Sequence, residues 1–154
     1  MDQNDKCQHI NQRKALVRAL SKATEAEMAN ALQAFPILPT PADLRSPESG
    51  LVMARARIGG LGNAFNVGEA VITRASVSLA DGRVGHSYLL GRSASKARLA
   101  ATIDAVGQNS VDRLTLERNF VSVVTLRVNR ENATRNEEVA ATRVNFFTLA
   151  RGEN

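Results

Sequence analysis

From Leu51 to Leu90 apolar and polar side chains mostly alternate, with a glycine-rich break at 59–65 and a short one at Asp81-Gly82. A period of two marks strands that turn one face to a core. It predicts strands over 51–58, 67–80 and 83–91. In the first, Leu51, Met53, Arg55 and Arg57 share a face opposite Val52, Ala54, Ala56 and Ile58. In the second, Val71, Thr73, Ala75, Val77 and Leu79 share one; in the third, Val84, His86, Tyr88 and Leu90 do. Asp81-Gly82 suits a two-residue type I′ turn, whose central residues need positive φ. Such a loop pairs Leu79 with Val84, Val77 with His86 and Ala75 with Tyr88, so both apolar sets fall on one side. His86 and Tyr88 are thereby expected against a core or a partner.

Helical spacing takes over elsewhere. Leu16, Val17 and Leu20, then Met28, Ala31 and Leu32, recur at that period. Ser21 or Thr24 divides the run, since a cap followed by first-turn acids fits Thr24-Glu25-Ala26-Glu27. Residues 1–10 lack the pattern and read as a flexible tail, with 11–154 as a single domain. All four prolines stand at 36, 39, 41 and 47, so 36–47 reads as an extended, edge-like connector that pairs briefly at Ile37-Leu38 or lies on a partner. Ser93 and Gly107 bracket a helix over 93–107 with a stripe of Leu99, Ile103 and Val106. The β-branched run 116–124 is a candidate fourth strand. After it, Thr125 caps a polar helix near 126–143, whose apolar edge is thin: Val128, Val139, Ala140 and Val144. Phe146 and Phe147 stand side by side near the end and suggest docking onto a core or partner. The fold class is α+β, an antiparallel sheet built on a central hairpin and flanked by these helices.

Composition narrows the function. At 154 residues, 44% hydrophobic and 23% charged, the chain suits one globular domain. The net charge is +5, carried mostly by arginine, which favours anionic partners. Arg55 and Arg57 on one strand face, and Arg92 at the start of the 93–107 helix, are the anion-binding candidates. Aromatic content of 4% without tryptophan argues against nucleic acid, because single-strand binders stack bases on aromatic rings. The glycines at 59, 60 and 62 lead into a strand where a dinucleotide cradle needs a helix, so they read as an irregular turn. One cysteine, Cys7, suits a reducing compartment. The polar N-terminus and the lack of any apolar run near ~20 residues give a cytoplasmic, non-membrane expectation. Cys7 and His9 are too few for zinc, and no metal is expected. His86 is the only credible general base, and the acids are scattered. The residues therefore describe a non-catalytic domain that binds something anionic or proteinaceous. A stand-alone anion- or nucleic-acid-binding protein, and an enzyme with a site around Arg55, Arg57, Arg92 and His86, remain open alternatives.

Several stretches resemble the PhnG family, the G subunit of the bacterial carbon–phosphorus lyase system. They are ESGL at 48–51, RxGGxGxxFxxGxAxxTRAxVxLxDGxxG at 57–85, YxxGR at 88–92, IDA at 103–105 and RVxFFTxxRG at 143–152. At position 86 relatives tend to carry tyrosine, which speaks against an essential histidine base. The resemblance implies a cytoplasmic core complex with subunits H, I and J, two copies of each in a two-fold assembly, joined by L for activity. It implies a step in which a phosphonate displaces adenine from ATP to give ribose 1-phosphonate 5-triphosphate. ATP and phosphonate are then substrates of the complex, and an iron–sulfur cluster belongs to another subunit. This chain is expected to be an accessory subunit with no cofactor and no catalytic residue of its own, offering Arg55, Arg57 and Arg92 to anions and His86, Tyr88, Phe146 and Phe147 to partners.

Overall fold

The computed structural model describes residues 3–35, 40–57 and 62–142, with side chains from residue 10 onward. Ile37-Leu38, the glycine pair 59–60 and the Phe146-Phe147 tail lie outside these residues. Helices α1 (Gln3–Lys22) and α2 (Glu25–Gln33) come first, followed by strands β1 (Ala42–Ala56), β2 (Phe65–Ser78) and β3 (Val84–Leu90). Helices α3 (Ala94–Val106), α4 (Ser110–Leu116) and α5 (Ser122–Ala141) follow, with a π-helical turn, Glu117–Val121, joining the last two. The strands form one antiparallel sheet in the order β1-β2-β3. The α+β class holds.

Thr24 divides the N-terminal helices as its capping signature predicts. Its hydroxyl accepts from the Glu27 amide at 3.2 Å, and Glu27 Oε2 accepts from the Thr24 amide at 2.7 Å. Ser93 and Gly107 bound α3 as expected. Its sheet-facing side is almost all alanine, with Ala97, Ala100, Ala101 and Ala105 fully buried, so α3 lies very close to the sheet. Leu16, Leu20, Met28, Val77, Leu79, Ile103 and Phe120 fill the remaining core.

Four expectations need correction. The run 116–124 is helical, not a strand. Leu116, Phe120 and Val124 are four apart and all buried, and the wider π-helical turn keeps such a row in line where an α-helix would rotate it away. Helix α4 is capped by Asn109, so the long C-terminal helix needs no cap at Thr125. Strand β1 begins at Ala42, inside the proline-rich stretch. Pro47 is accommodated because β1 is an edge strand and its register with β2 shifts between Arg45 and Glu48.

The fourth correction concerns the hairpin. The Leu79 amide donates to Arg83 O and the Gly82 amide to Leu79 O, both at 2.9 Å, so the loop is three residues, Ala80 to Gly82. Within this loop only Gly82 has positive φ, at 86°, and Asp81 does not, which rules out type I′. Ser76 then pairs with His86, Val77 with Gly85 and Arg74 with Tyr88. One extra loop residue turns β3 over. Gly85, Ser87 and Leu89 face α3, while His86, Tyr88 and Leu90 face away.

Arginines staple these elements together. Arg83 Nη1 reaches Val106 O at the C-terminus of α3 (2.9 Å) and Asp112 of α4 (3.1 Å), a favourable place for a cation. Arg98 ties α3 to Asp43 and to Pro41 O. Arg127 of α5 donates to both Glu27 oxygens, at 2.7 and 3.0 Å, and to Lys22 O at the end of α1. The Arg127 guanidinium, offset partly by burial and helped by Thr24, holds the Glu27 carboxyl below its ordinary range. A depressed carboxyl stabilises the fold above its unfolded pKa, and the gain is lost as pH falls through the folded value. Glu27→Gln keeps the cap but removes the charge. It should lower stability near neutrality by roughly 1 kcal/mol, and the difference should shrink below pH 4 in denaturant melts of the chain held in solution by its partners. An equal deficit at every pH would refute the ionic contribution.

Candidate interaction surface

Among the described residues only one face of the sheet is covered. Thr73, Ala75, Val77 and Leu79 of β2 are buried beneath α3. The opposite face carries Arg74, Ser76, His86, Tyr88 and Leu90, with Tyr88 66% and Leu90 81% exposed. Glu48 of β1 links to it: Arg74 Nε donates to Glu48 Oε1 at 2.6 Å and Arg45 Nη1 to the same oxygen at 2.9 Å. The Arg74 hydrogen bond holds the Glu48 carboxyl low, and Glu48 together with Tyr88 raises Arg74 further above its already high range. Beside this cluster Ile72 pairs with Leu90 on one side and Gly50 on the other, and Val52 follows along β1. Ile72, Gly50 and Val52, together with Glu48 and Arg74, border a depression of about 200 Å³.

Beyond α3 the sheet narrows to a two-stranded ribbon. The Gly91 amide donates to Val71 O at 2.9 Å, and β3 ends there. From Ser49 to Arg57 and from Asn63 to Glu69 every residue is exposed on both faces. The ribbon nevertheless carries large apolar side chains: Leu51 and Met53 on the helix side, Val52 on the other, and Val67 at the register shift. At its base Ser49 Oγ lies 2.7 Å from Thr73 Oγ1, which donates to Gly91 O at 2.6 Å, so the arm is anchored where it leaves the core. A bare ribbon with apolar residues on both sides is the kind of surface that marks a protein-binding element.

The predicted site residues separate along this surface. Arg55 pairs with Asn66 near the ribbon's outer end, and Arg57 follows just past β1. Arg92 lies exposed between β3 and Ser93, at the ribbon's base. Asn66 and Val71 are five positions apart on β2, roughly 17 Å at strand rise, so the arginines punctuate the arm and do not line one pocket. His86 and Tyr88 stand on the uncovered face. The Val77–His86 contact expected from a two-residue loop is absent; His86 Nδ1 instead meets Ser76 Oγ at 2.9 Å in the open. Among the described residues no three histidines, cysteines or carboxylates converge as a metal would require. No helix among them is long and apolar enough to cross a membrane.

Comparison with known proteins settles the family. The model of the family described as phosphonate metabolism protein PhnG matches residues 11–152. The chain belongs to the PhnG family. A curated PhnG relative from Rhizobium meliloti (strain 1021), named alpha-D-ribose 1-methylphosphonate 5-triphosphate synthase subunit PhnG, is 45% identical over 145 residues. That alignment spans 94% of this chain and 92% of the relative. The PhnG motifs quoted above fall on pivots of this fold. Thr73 anchors the ribbon, Gly82 and Gly91 hold the positive φ angles, and Gly85 and Asp104 sit at the β3–α3 contact. Sequence reasoning missed Leu90 as a surface residue, because its apolar character alone reads as core.

Proposed function

We propose that this chain is an accessory subunit of a cytoplasmic, multi-subunit alpha-D-ribose 1-methylphosphonate 5-triphosphate synthase, working in phosphonate catabolism. The observation that carries the reading is the 45% identity, nearly end to end, to a relative bearing that name. In the reaction a phosphonate displaces adenine from ATP, and this chain supports the step without supplying its catalytic groups or a cofactor. Its partners are subunits H, I and J, with L joining for activity, in a two-fold assembly. The bare sheet face and two-sided ribbon support a role among partners, since large exposed apolar side chains become useful on burial at an interface. Arg55, Arg57 and Arg92 along the arm are available to carboxylates or phosphates at that interface.

The test is release of adenine from ATP and methylphosphonate by the purified subunits with and without this chain. Activity should require the chain together with its partners, and the chain alone should release none. In the same preparation the isolated chain should aggregate or melt without cooperativity, and co-expression with I should yield a monodisperse complex. A well-behaved monomer that binds generic polyanions with steep salt dependence would favour a stand-alone anion binder instead.

A further inference from the structure

Helix α1 has a second apolar row that the fold leaves bare. Leu16, Ala19, Leu20 and Ala23 face the core. Ile10 and Val17, seven residues or two turns apart, point elsewhere and are more than half exposed. With Val121 they floor a groove of about 840 Å³ between α1 and the start of α5. Arg13, Lys14 and Arg18 stand along it, and no carboxylate is among the described residues that line it. Arg13 is held in place by Asp104, through bonds of 3.2 and 2.9 Å. An apolar floor two helical turns long beside a basic rim is complementary to an amphipathic helix with acidic flanks.

We propose that this groove seats an acidic amphipathic helix of a partner subunit, a site separate from the sheet face and ribbon. The proposal rests on the heteromeric reading above. Charge decides among the occupants. A second copy related by a two-fold axis would bring the same cations face to face, which is costly. The chain's own C-terminal residues carry Arg143 and Arg151 against Glu153, and so offer no acidic complement. Nucleic acid would want aromatic rings to stack on, and none is among the described lining residues.

The experiment co-expresses the tagged full chain with subunits H, I and J and measures their retention as salt is raised. The double variant Lys14→Glu/Arg18→Glu should retain the partners at least about tenfold less well at physiological salt, since like charges then oppose the acidic helix. Lys14→Gln/Arg18→Gln should fall between, and the far-ultraviolet circular dichroism of both should match the parent. Equal retention by the double-Glu variant would overturn the groove's role while leaving the subunit reading intact. Failure of the parent chain itself to retain H, I or J would overturn both. Binding to phosphatidylglycerol vesicles or to an oligothymidylate that the double-Glu variant loses, with assembly unchanged, would assign the groove to a lipid surface or nucleic acid and overturn it likewise.

Discussion

Replacing Gly85 with alanine should cost at least about 3 kcal/mol and leave the chain largely unfolded or aggregated on expression. Gly85 sits on the β3 face turned to α3. A Cβ placed there would fall 2.5 Å from the Ala105 amide nitrogen and 2.9 Å from the Ala105 methyl, and it would run into the Ala101 carbonyl oxygen. Two of these three neighbours are helix backbone, so no rotamer change relieves the overlap and α3 must move off the sheet as a body. That movement would loosen the contacts of Ala97, Ala100 and Ala101, which are buried only because the helix lies so close. The glycine is needed for space and not for its dihedral angles, since positive φ occurs only at Gly82 and Gly91 among the described glycines. The control is therefore informative: Gly50→Ala, where a Cβ meets nothing within 4 Å, should shift the melting temperature by no more than a few degrees. Thermal melts of both variants, in whatever assembly keeps the parent chain in solution, decide the matter. A Gly85→Ala protein melting with the parent would mean that β3 does not present this face to the helix.

The same residue explains what the sequence revealed and what it hid. Strand existence was legible because β2 alternates cleanly, and the helix over 93–107 was legible because Ser93 and Gly107 bracket it. The facing of β3 was not. Its inward residues are Gly85, Ser87 and Leu89, small or polar, chosen by the close approach of an alanine-faced helix. Ser87 satisfies its hydroxyl by donating to Ala97 O at 2.7 Å. Its outward residues, His86, Tyr88 and Leu90, are the larger and more apolar set, on the face turned away from α3. Hydrophobic alternation therefore pointed inside out, and a two-residue loop agreed with it by accident. The helical nature of 116–124 was hidden for a related reason: valines fit strand and helix alike, and only tertiary burial of Leu116, Phe120 and Val124 shows the period. His86 and Tyr88 were expected against a core or a partner, and the structure leaves both exposed on the face turned away from α3. Arginine read as a sign of ligand contact proved in several cases, among them Arg83, Arg98 and Arg127, to be internal stapling.

Arg13→Ala should be among the most damaging changes at an exposed position, at about 2–3 kcal/mol, or a fall of roughly 6–10 °C in melting temperature. The Arg13 side chain is 57% exposed, which ordinarily predicts little effect, but its partner Asp104 is 2% exposed. Asp104 accepts from Arg13 Nη2 at 2.9 Å and Nε at 3.2 Å, and from the His86 amide at 3.1 Å. The carboxylate thus joins α1, α3 and β3 at one point. Truncating the arginine removes two charge-assisted bonds and leaves a buried anion, where losing the exposed partner of a surface pair would leave only a solvated charge. The cost falls short of a fully interior pair because a cavity of about 290 Å³, lined by both residues, lets water reach the site. Arg13→Lys should recover about half the loss, keeping the charge without the bidentate geometry. Asp104→Asn in the Arg13→Ala background should recover part of it too, since the amide oxygen can still accept from His86 while no ion is left buried. A double-mutant cycle in chemical denaturation, run in the partner-bound assembly that keeps the chain in solution, measures the coupling, expected above about 1 kcal/mol. An Arg13→Ala variant within about 0.5 kcal/mol of the parent, or strict additivity with Asp104→Asn, would show that this bridge is an ordinary surface contact.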